Sequence, residues 1–203
     1  MQYFGEDSFL LEGTEIPDSL KENKYDRLPF SYKEDVREPV WDLSKNSAGL
    51  SIRFLSNSSV ITAKWELLNN FSMNHMPDTG IKGIDLYFKN NNKWQYINTG
   101  RTAGFNNEYR LVENMNNKLR EYKIFLPLYD GIKKIEIGID NSSFIQKPKK
   151  SEKKPIIFYG TSITQGASAS RPGMAHTNII SRKLDRNVIN FGFSGNGLSL
   201  IHI

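Results

Sequence analysis

Between Leu50 and Ile139 apolar and polar positions alternate with a period of two. Ile61, Ala63, Trp65 and Leu67 are separated by Thr62, Lys64 and Glu66. Successive side chains of a strand point to opposite faces, so this spacing predicts a strand with one buried face. The same spacing recurs at Leu50, Ile52 and Phe54, at Ile84, Leu86 and Phe88, at Tyr122, Ile124 and Leu126, and at Ile135, Ile137 and Ile139. Turn-forming residues punctuate the runs: Asn57-Ser58, Asp78-Thr79-Gly80, Asn90 to Asn92 and Asp130-Gly131. Short strands broken up in this way predict an antiparallel β-sandwich of jelly-roll type. The region before them, Met1 to Pro29, is polar and weakly periodic, and is expected to lie extended along the domain surface.

The pattern changes after a Lys-, Ser- and Pro-rich stretch, Gln146 to Pro155. Ile156 to Tyr159 is a short continuous apolar run, the mark of a strand buried on both faces of a parallel sheet. A loop rich in Gly, Ser and Thr follows, Gly160 to Gly173. Next comes a predicted helix, Met174 to Leu184, opened by Pro172, with Ile180 and Leu184 on one face. A second buried strand is expected at Val188 to Phe191, ahead of Gly192 to Gly197. This β–loop–α–β order is the start of an α/β sandwich. The expected organisation is therefore a β-sandwich domain over 1–146, a linker over 147–154 and an α/β part over 155–203.

Composition narrows the function classes. Of 203 residues, 38% are hydrophobic and 24% charged, enough apolar material for a core. The longest apolar run, Ile156 to Tyr159, is far below the roughly 18 residues of a membrane-spanning helix, so no membrane partner is expected. Met1 to Leu20 shows no basic segment followed by an apolar run, so no secretory signal is visible, and a periplasmic or secreted location stays open for a longer parent. With no cysteine, disulfides and thiolate metal sites are excluded. The net charge of +5 equals the five lysines at 147, 149, 150, 153 and 154. They cluster without interleaved aromatics, which suits a solvated linker and not a nucleic-acid surface. Three scattered histidines make no metal-ligand cluster, and no cofactor is implied.

The chemistry concentrates in two loops. Gly160-Thr161-Ser162-Ile163-Thr164-Gln165-Gly166 follows the first buried strand, where open α/β sheets place ligands. A serine there can present a nucleophilic hydroxyl and its own N–H as an oxyanion donor. An ordinary turn with a capping Ser or Thr would read the same way. The second loop tips the balance. Asn190-Phe191-Gly192-Phe193-Ser194-Gly195-Asn196-Gly197 ends the next strand at the same sheet edge, and the Gly195 N–H can point at a substrate oxygen.

Phe158-Tyr159-Gly160-Thr161-Ser162-Ile163-Thr164-Gln165-Gly166 resembles the first signature block of SGNH (GDSL-type) hydrolases, with Thr-Ser in place of Asp-Ser. Ile189 to Gly197 resembles the second block. Ser170-Arg171-Pro172-Gly173-Met174 and Gly83-Ile84-Asp85-Leu86-Tyr87 resemble the subgroup with an N-terminal β domain marked by a Gly-x-Asp-Leu-Tyr motif. The resemblance implies a three-layer α/β/α hydrolase domain and esterase activity on acylated carbohydrates or other small esters. It implies Ser162 as nucleophile and oxyanion donor, and Gly195 as a second donor. The family's third donor, in a Gly-x-Asn-Asp block, and its base, a His three residues after an Asp, have no counterpart here. The chain is therefore expected to be truncated and inactive by itself, with Leu198 to Ile203 a foreign ending.

The remaining candidates are weighed against simpler roles. His202 lacks a preceding Asp at the family's spacing. His176 is expected to cap the helix or line the pocket, and His75 to serve a structural or rim role. Asp85 is expected to be a satisfied structural carboxylate. Trp41, Trp65 and Trp94 suggest a sugar-stacking platform, although Trp65 fits the apolar strand face. The alternative function is a carbohydrate-binding or interaction module with an inactive hydrolase remnant.

Overall fold

A computed structural model describes residues 1–197. In chain order the elements are β1 (Gln2–Phe4), β2 (Leu10–Glu12), α1 (Glu38–Ser44), β3 (Ser51–Ser56) and β4 (Ile61–Leu67). They continue with α2 (Asp78–Ile81), β5 (Ile84–Asn90), β6 (Lys93–Gly100), β7 (Asn106–Val112), β8 (Arg120–Phe125), β9 (Ile132–Ile139) and β10 (Ile145–Gln146). The last elements are β11 (Ile156–Gly160), α3 (Ser162–Gln165), α4 (His176–Leu184) and β12 (Val188–Gly192).

The fold is mostly antiparallel sheet with few helices. One sheet has the order β1-β9-β4-β7, the other β10-β3-β8-β5-β6 with β2 also paired to β3. The alternating residues of both sheets enter one core. Ile52, Phe54, Ile84, Leu86, Tyr122 and Ile124 from one sheet share a core with Ile61, Ala63, Trp65, Ile135, Ile137 and Ile139 from the other. Burying such side chains contributes roughly 1.5–3 kcal/mol each, which is why the period-two pattern fixes the strand faces.

Between Leu50 and Ile139 two strands escaped the pattern. β6 and β7 lie at sheet ends and carry mostly polar residues, so their apolar alternation is weak. The first 29 residues also differ from expectation. β1 and β2 are paired strands, and Phe9 and Tyr25 enter the shared core. Aromatic anchors spaced this far apart leave no periodic trace.

β11 and β12 pair in parallel, with Gly160 opposite Gly192. β12 is buried as expected. β11 is not: Ile157 is 60% exposed and Tyr159 45% exposed. Both faces of a parallel strand are buried only when other layers cover both. Among the described residues β11 pairs with β12 alone. The helix expected from Met174 begins as a 3-10 turn, Pro172–Met174, and continues as α4. Its buried residues are Thr177, Asn178 and Ser181, while Leu184 is exposed, so the apolar face is not the packed one. The buried side finds partners instead. Asn178 donates to the Pro172 carbonyl at 2.8 Å, and Ser181 to that of Arg186 at 2.8 Å.

Candidate active site

β11 runs straight into the turn that carries Ser162. This residue opens the short helix α3, and the first N–H groups of a helix have no intrahelical acceptor. The Ser162 carbonyl accepts the N–H groups of Gly166 at 3.0 Å and Ala167 at 2.8 Å, which closes the turn beneath it. The buried Tyr129 hydroxyl lies 3.5 Å from the same carbonyl, and burial raises the pKa of that phenol. Ser162 itself is half-buried. Among the described residues neither its hydroxyl nor its N–H has a hydrogen-bond partner.

The second loop is tied to the first at several points. Phe193 N–H donates to the Gly160 carbonyl at 3.0 Å, and Ser194 N–H to Gln165 Oε1 at 2.9 Å. Gln165 is fully buried, and its Nε2 reaches the Leu128 carbonyl at 3.1 Å. A Cβ at Gly192 would overlap the Gln165 backbone nitrogen, so only glycine lets α3 sit on the strand end. Asn190 completes the joint. Its Nδ2 donates to Thr164 O at 2.7 Å and Thr177 Oγ1 at 3.1 Å, and its Oδ1 accepts Gly192 N–H at 2.8 Å. Gly195 has φ +72, in the left-handed region where glycine carries no steric cost, and a Cβ there would meet nothing within 4 Å. Its N–H, like that of Ser162, finds no acceptor among the described residues.

Two groups of supporting residues come from far away in sequence. Arg27 is buried and hydrogen-bonded to backbone carbonyls only. Its Nε reaches Asn46 O at 2.9 Å, its Nη2 Leu43 O at 2.6 Å, and its Nη1 both Asn190 O at 3.1 Å and Gly192 O at 2.7 Å. Desolvation pulls its pKa down to about 9, so it stays protonated at neutral pH. The second group carries the Gly-x-Asp-Leu-Tyr motif. Asp85 is fully buried and accepts from Thr99 Oγ1 at 2.6 Å, Arg171 Nη1 at 2.7 Å and Gly173 N–H at 2.8 Å. Arg171 Nη1 also donates to the Tyr87 hydroxyl at 2.7 Å. Thr79 adds a hydrogen bond to the Ser170 carbonyl at 2.7 Å. Asp85 is thus a satisfied structural carboxylate that holds the chain segment downstream of Ser162. Arg27 lies in the aperiodic N-terminal stretch and left no signal in the sequence.

Neither described histidine is hydrogen-bonded to these two loops. The His176 ring packs edge-on against Phe158, with centroids 5.6 Å apart, and His75 is exposed beside Asn74. His202 lies outside the described residues. The tryptophans do not form one platform. Trp65 is in the shared core, Trp41 is buried against Leu28 and Phe193, and Trp94 donates to Asp185 at 2.8 Å. A cavity of about 850 Å³ borders the second loop, lined by Tyr159, Phe191, Phe193, Leu28, Val36 and Asn196 among others.

Comparison with known proteins gives the family. Residues 1–145 match the model of the GxDLY domain, the N-terminus of SGNH hydrolase-type esterases. Residues 153–200 match the GDSL-like lipase/acylhydrolase family. No curated protein matches the chain. Among solved structures, a candidate GDSL-like lipase from Bacteroides ovatus is 39% identical over 97% of this chain and 57% of its own, with a TM-score of 0.90. A salicylyl-acyltransferase from a tetracycline biosynthetic pathway aligns with a TM-score of 0.73 at 14% identity, over 97% of this chain and 55% of its own. A family two carbohydrate esterase from Cellvibrio japonicus gives 0.58 at 12% identity, over 97% and 53%. The last two likenesses are of fold alone. The chain spans little more than half the length of these proteins. It belongs to the family of SGNH hydrolase-type esterases that carry a GxDLY domain at their N-terminus.

Proposed function

We propose that the full-length protein is a serine esterase in which Ser162 is the nucleophile and the N–H groups of Ser162 and Gly195 hold the oxyanion. In the same reading, residues 1–146 form a jelly-roll-like sandwich, 147–154 a linker, and the segment from Pro155 the start of a three-layer α/β/α hydrolase domain. One observation carries the proposal. Among the described residues the Ser162 hydroxyl and the N–H groups of Ser162 and Gly195 have no partner, on adjacent loops joined by the Phe193–Gly160 and Ser194–Gln165 hydrogen bonds. Donors held in place and left open favour charge that develops only in the transition state.

The reaction follows from that arrangement. A general base takes the Ser162 hydroxyl proton while Oγ bonds to the ester carbonyl carbon. The carbonyl oxygen becomes an oxyanion facing the two N–H groups. Collapse breaks the bond to the alcohol, which leaves with the proton from the base, and water then releases the acid by the same route. Neither described histidine is hydrogen-bonded to Ser162. A base outside the described residues is therefore required. Small esters or acylated carbohydrates are the proposed substrates. The binding-module alternative has little to stand on, because Trp41 and Trp65 are buried.

Hydrolysis of p-nitrophenyl acetate tests the reading. The full-length protein should lose activity by at least about 10⁴-fold on Ser162→Ala, and these 203 residues alone should be near background. Unchanged activity in the full-length Ser162→Ala variant would remove Ser162 from its role. Ser162-dependent turnover by the 203 residues alone would place a base within them.

A further inference from the structure

We infer that Arg27 is a positioning residue for the Gly195 loop, and that the N-terminal β domain thereby sets the geometry of the second oxyanion donor. The inference rests on the reading of Gly195 given above. The Arg27 side chain lies along β12 just ahead of that loop. One nitrogen, Nη1, bridges the carbonyls of Asn190 and Gly192, two positions apart on one side of the strand. The guanidinium also lies over the Phe193 ring, 4.6 Å from its centroid. It therefore grips the last residues of the strand and the first residue of the loop. The other two nitrogens anchor it to Asn46 and Leu43 in the N-terminal domain. Arg37 holds the far side of the loop through a hydrogen bond to Asn196 Oδ1. Gly195 sits between these two clamps, its N–H without an acceptor among the described residues.

The choice of residue supports the assignment. Burying a cation is costly unless its donors are satisfied. No carboxylate is hydrogen-bonded to Arg27 among the described residues, so backbone carbonyls, with the Phe193 ring face, meet that cost. A guanidinium places donors on three nitrogens in a rigid plane and can span four carbonyls on two chain segments, 43–46 and 190–192. A lysine ammonium at the same position keeps the charge but has one nitrogen and cannot span them. Arg27→Lys thus removes the grip without removing the charge.

Two measurements decide the matter. In the ¹⁵N-labelled 203-residue chain, Arg27→Lys should shift the Gly195 amide resonance and speed hydrogen exchange at Phe193, Ser194 and Asn196 by about tenfold or more. Exchange at Ile135 and Ile137 in the shared core should not change. In the full-length protein, Arg27→Lys should lower kcat for p-nitrophenyl acetate about tenfold with KM within twofold, since Arg27 meets no substrate and a displaced donor is felt in the transition state. Arg37→Ala, at an exposed residue, should act in the same direction more weakly, and serves where Arg27→Lys does not fold. Unmoved loop amides with unchanged kcat would overturn the inference, as would a rise in KM alone. If Ser162→Ala leaves activity intact, the esterase reading fails by itself, and the exchange data still decide whether Arg27 holds the loop.

Discussion

β4 and β11 are both apolar strands, yet they meet opposite fates. Ile61, Ala63, Trp65 and Leu67 of β4 are buried, and the polar residues between them point outward or toward partners. β11 leaves Ile157 and Tyr159 exposed. The polar residues around β11 and β12, namely Gln165, Thr177, Asn178, Ser181 and Asn190, are buried and largely hydrogen-bonded to backbone. The paired sheets hold together by apolar area. The β11–β12 unit leans on them through placed hydrogen bonds, including those of Arg27 and Asp85. Area is tolerant of small shifts and hydrogen bonds are directional, so the region near the candidate chemistry is the one built from directional contacts.

Substitutions can break or sharpen that contrast. The largest effect belongs to the shared core. Ile137→Ala should destabilise the chain by about 2–5 kcal/mol in urea titrations at neutral pH, through lost transfer energy and a residual cavity. Next comes a polar deletion in the second region. Asn190→Ala orphans buried backbone groups and should cost about 1–3 kcal/mol. A loss there below about 0.5 kcal/mol would erase the distinction. By contrast, Ile157→Ala on the exposed face of β11 should change the stability of the 203-residue chain by less than about 0.5 kcal/mol. An effect as large as that of Ile137→Ala would show that β11 is packed after all.

A further small effect is a pH dependence at the end of α4. Burial raises the pKa of Asp185, but hydrogen bonds from Lys89 and Trp94, and the charges of Lys89 and Lys123, outweigh it and leave the pKa lowered. A lowered carboxylate contributes stability that is present above its unfolded value, about 3.9, and is lost as pH falls through the folded value. The carboxylate is partly exposed, so the contribution should stay below about 1 kcal/mol. Comparison of wild type with Asp185→Asn should show a difference at pH 7 that closes below about pH 4. A gap that persists in acid would assign the effect to packing.

Strand faces were legible because burial repeats every two residues, and Ile135, Ile137 and Ile139 needed no knowledge of their partners. The two glycine-bracketed loops were legible because glycine marks turns and close approaches locally. The same local reading put Ile180 and Leu184 on one face of α4, but it could not say which face is packed, and Leu184 is exposed. Which side of a helix is covered depends on what lies against it, and here Asn190 and Arg186 offer hydrogen-bonding partners to the polar side.

By itself, then, the sequence determined the apolar faces of the paired sheets, the family and the two loops, since each is written within a few consecutive residues. Only the tertiary structure decided that Arg27 lies under a strand end about 165 residues later, and that Asp85 of the motif holds Gly173. Such contacts join groups with no periodic relation along the chain. Their energy comes from satisfying buried donors and acceptors, and the folded backbone alone determines where those groups fall.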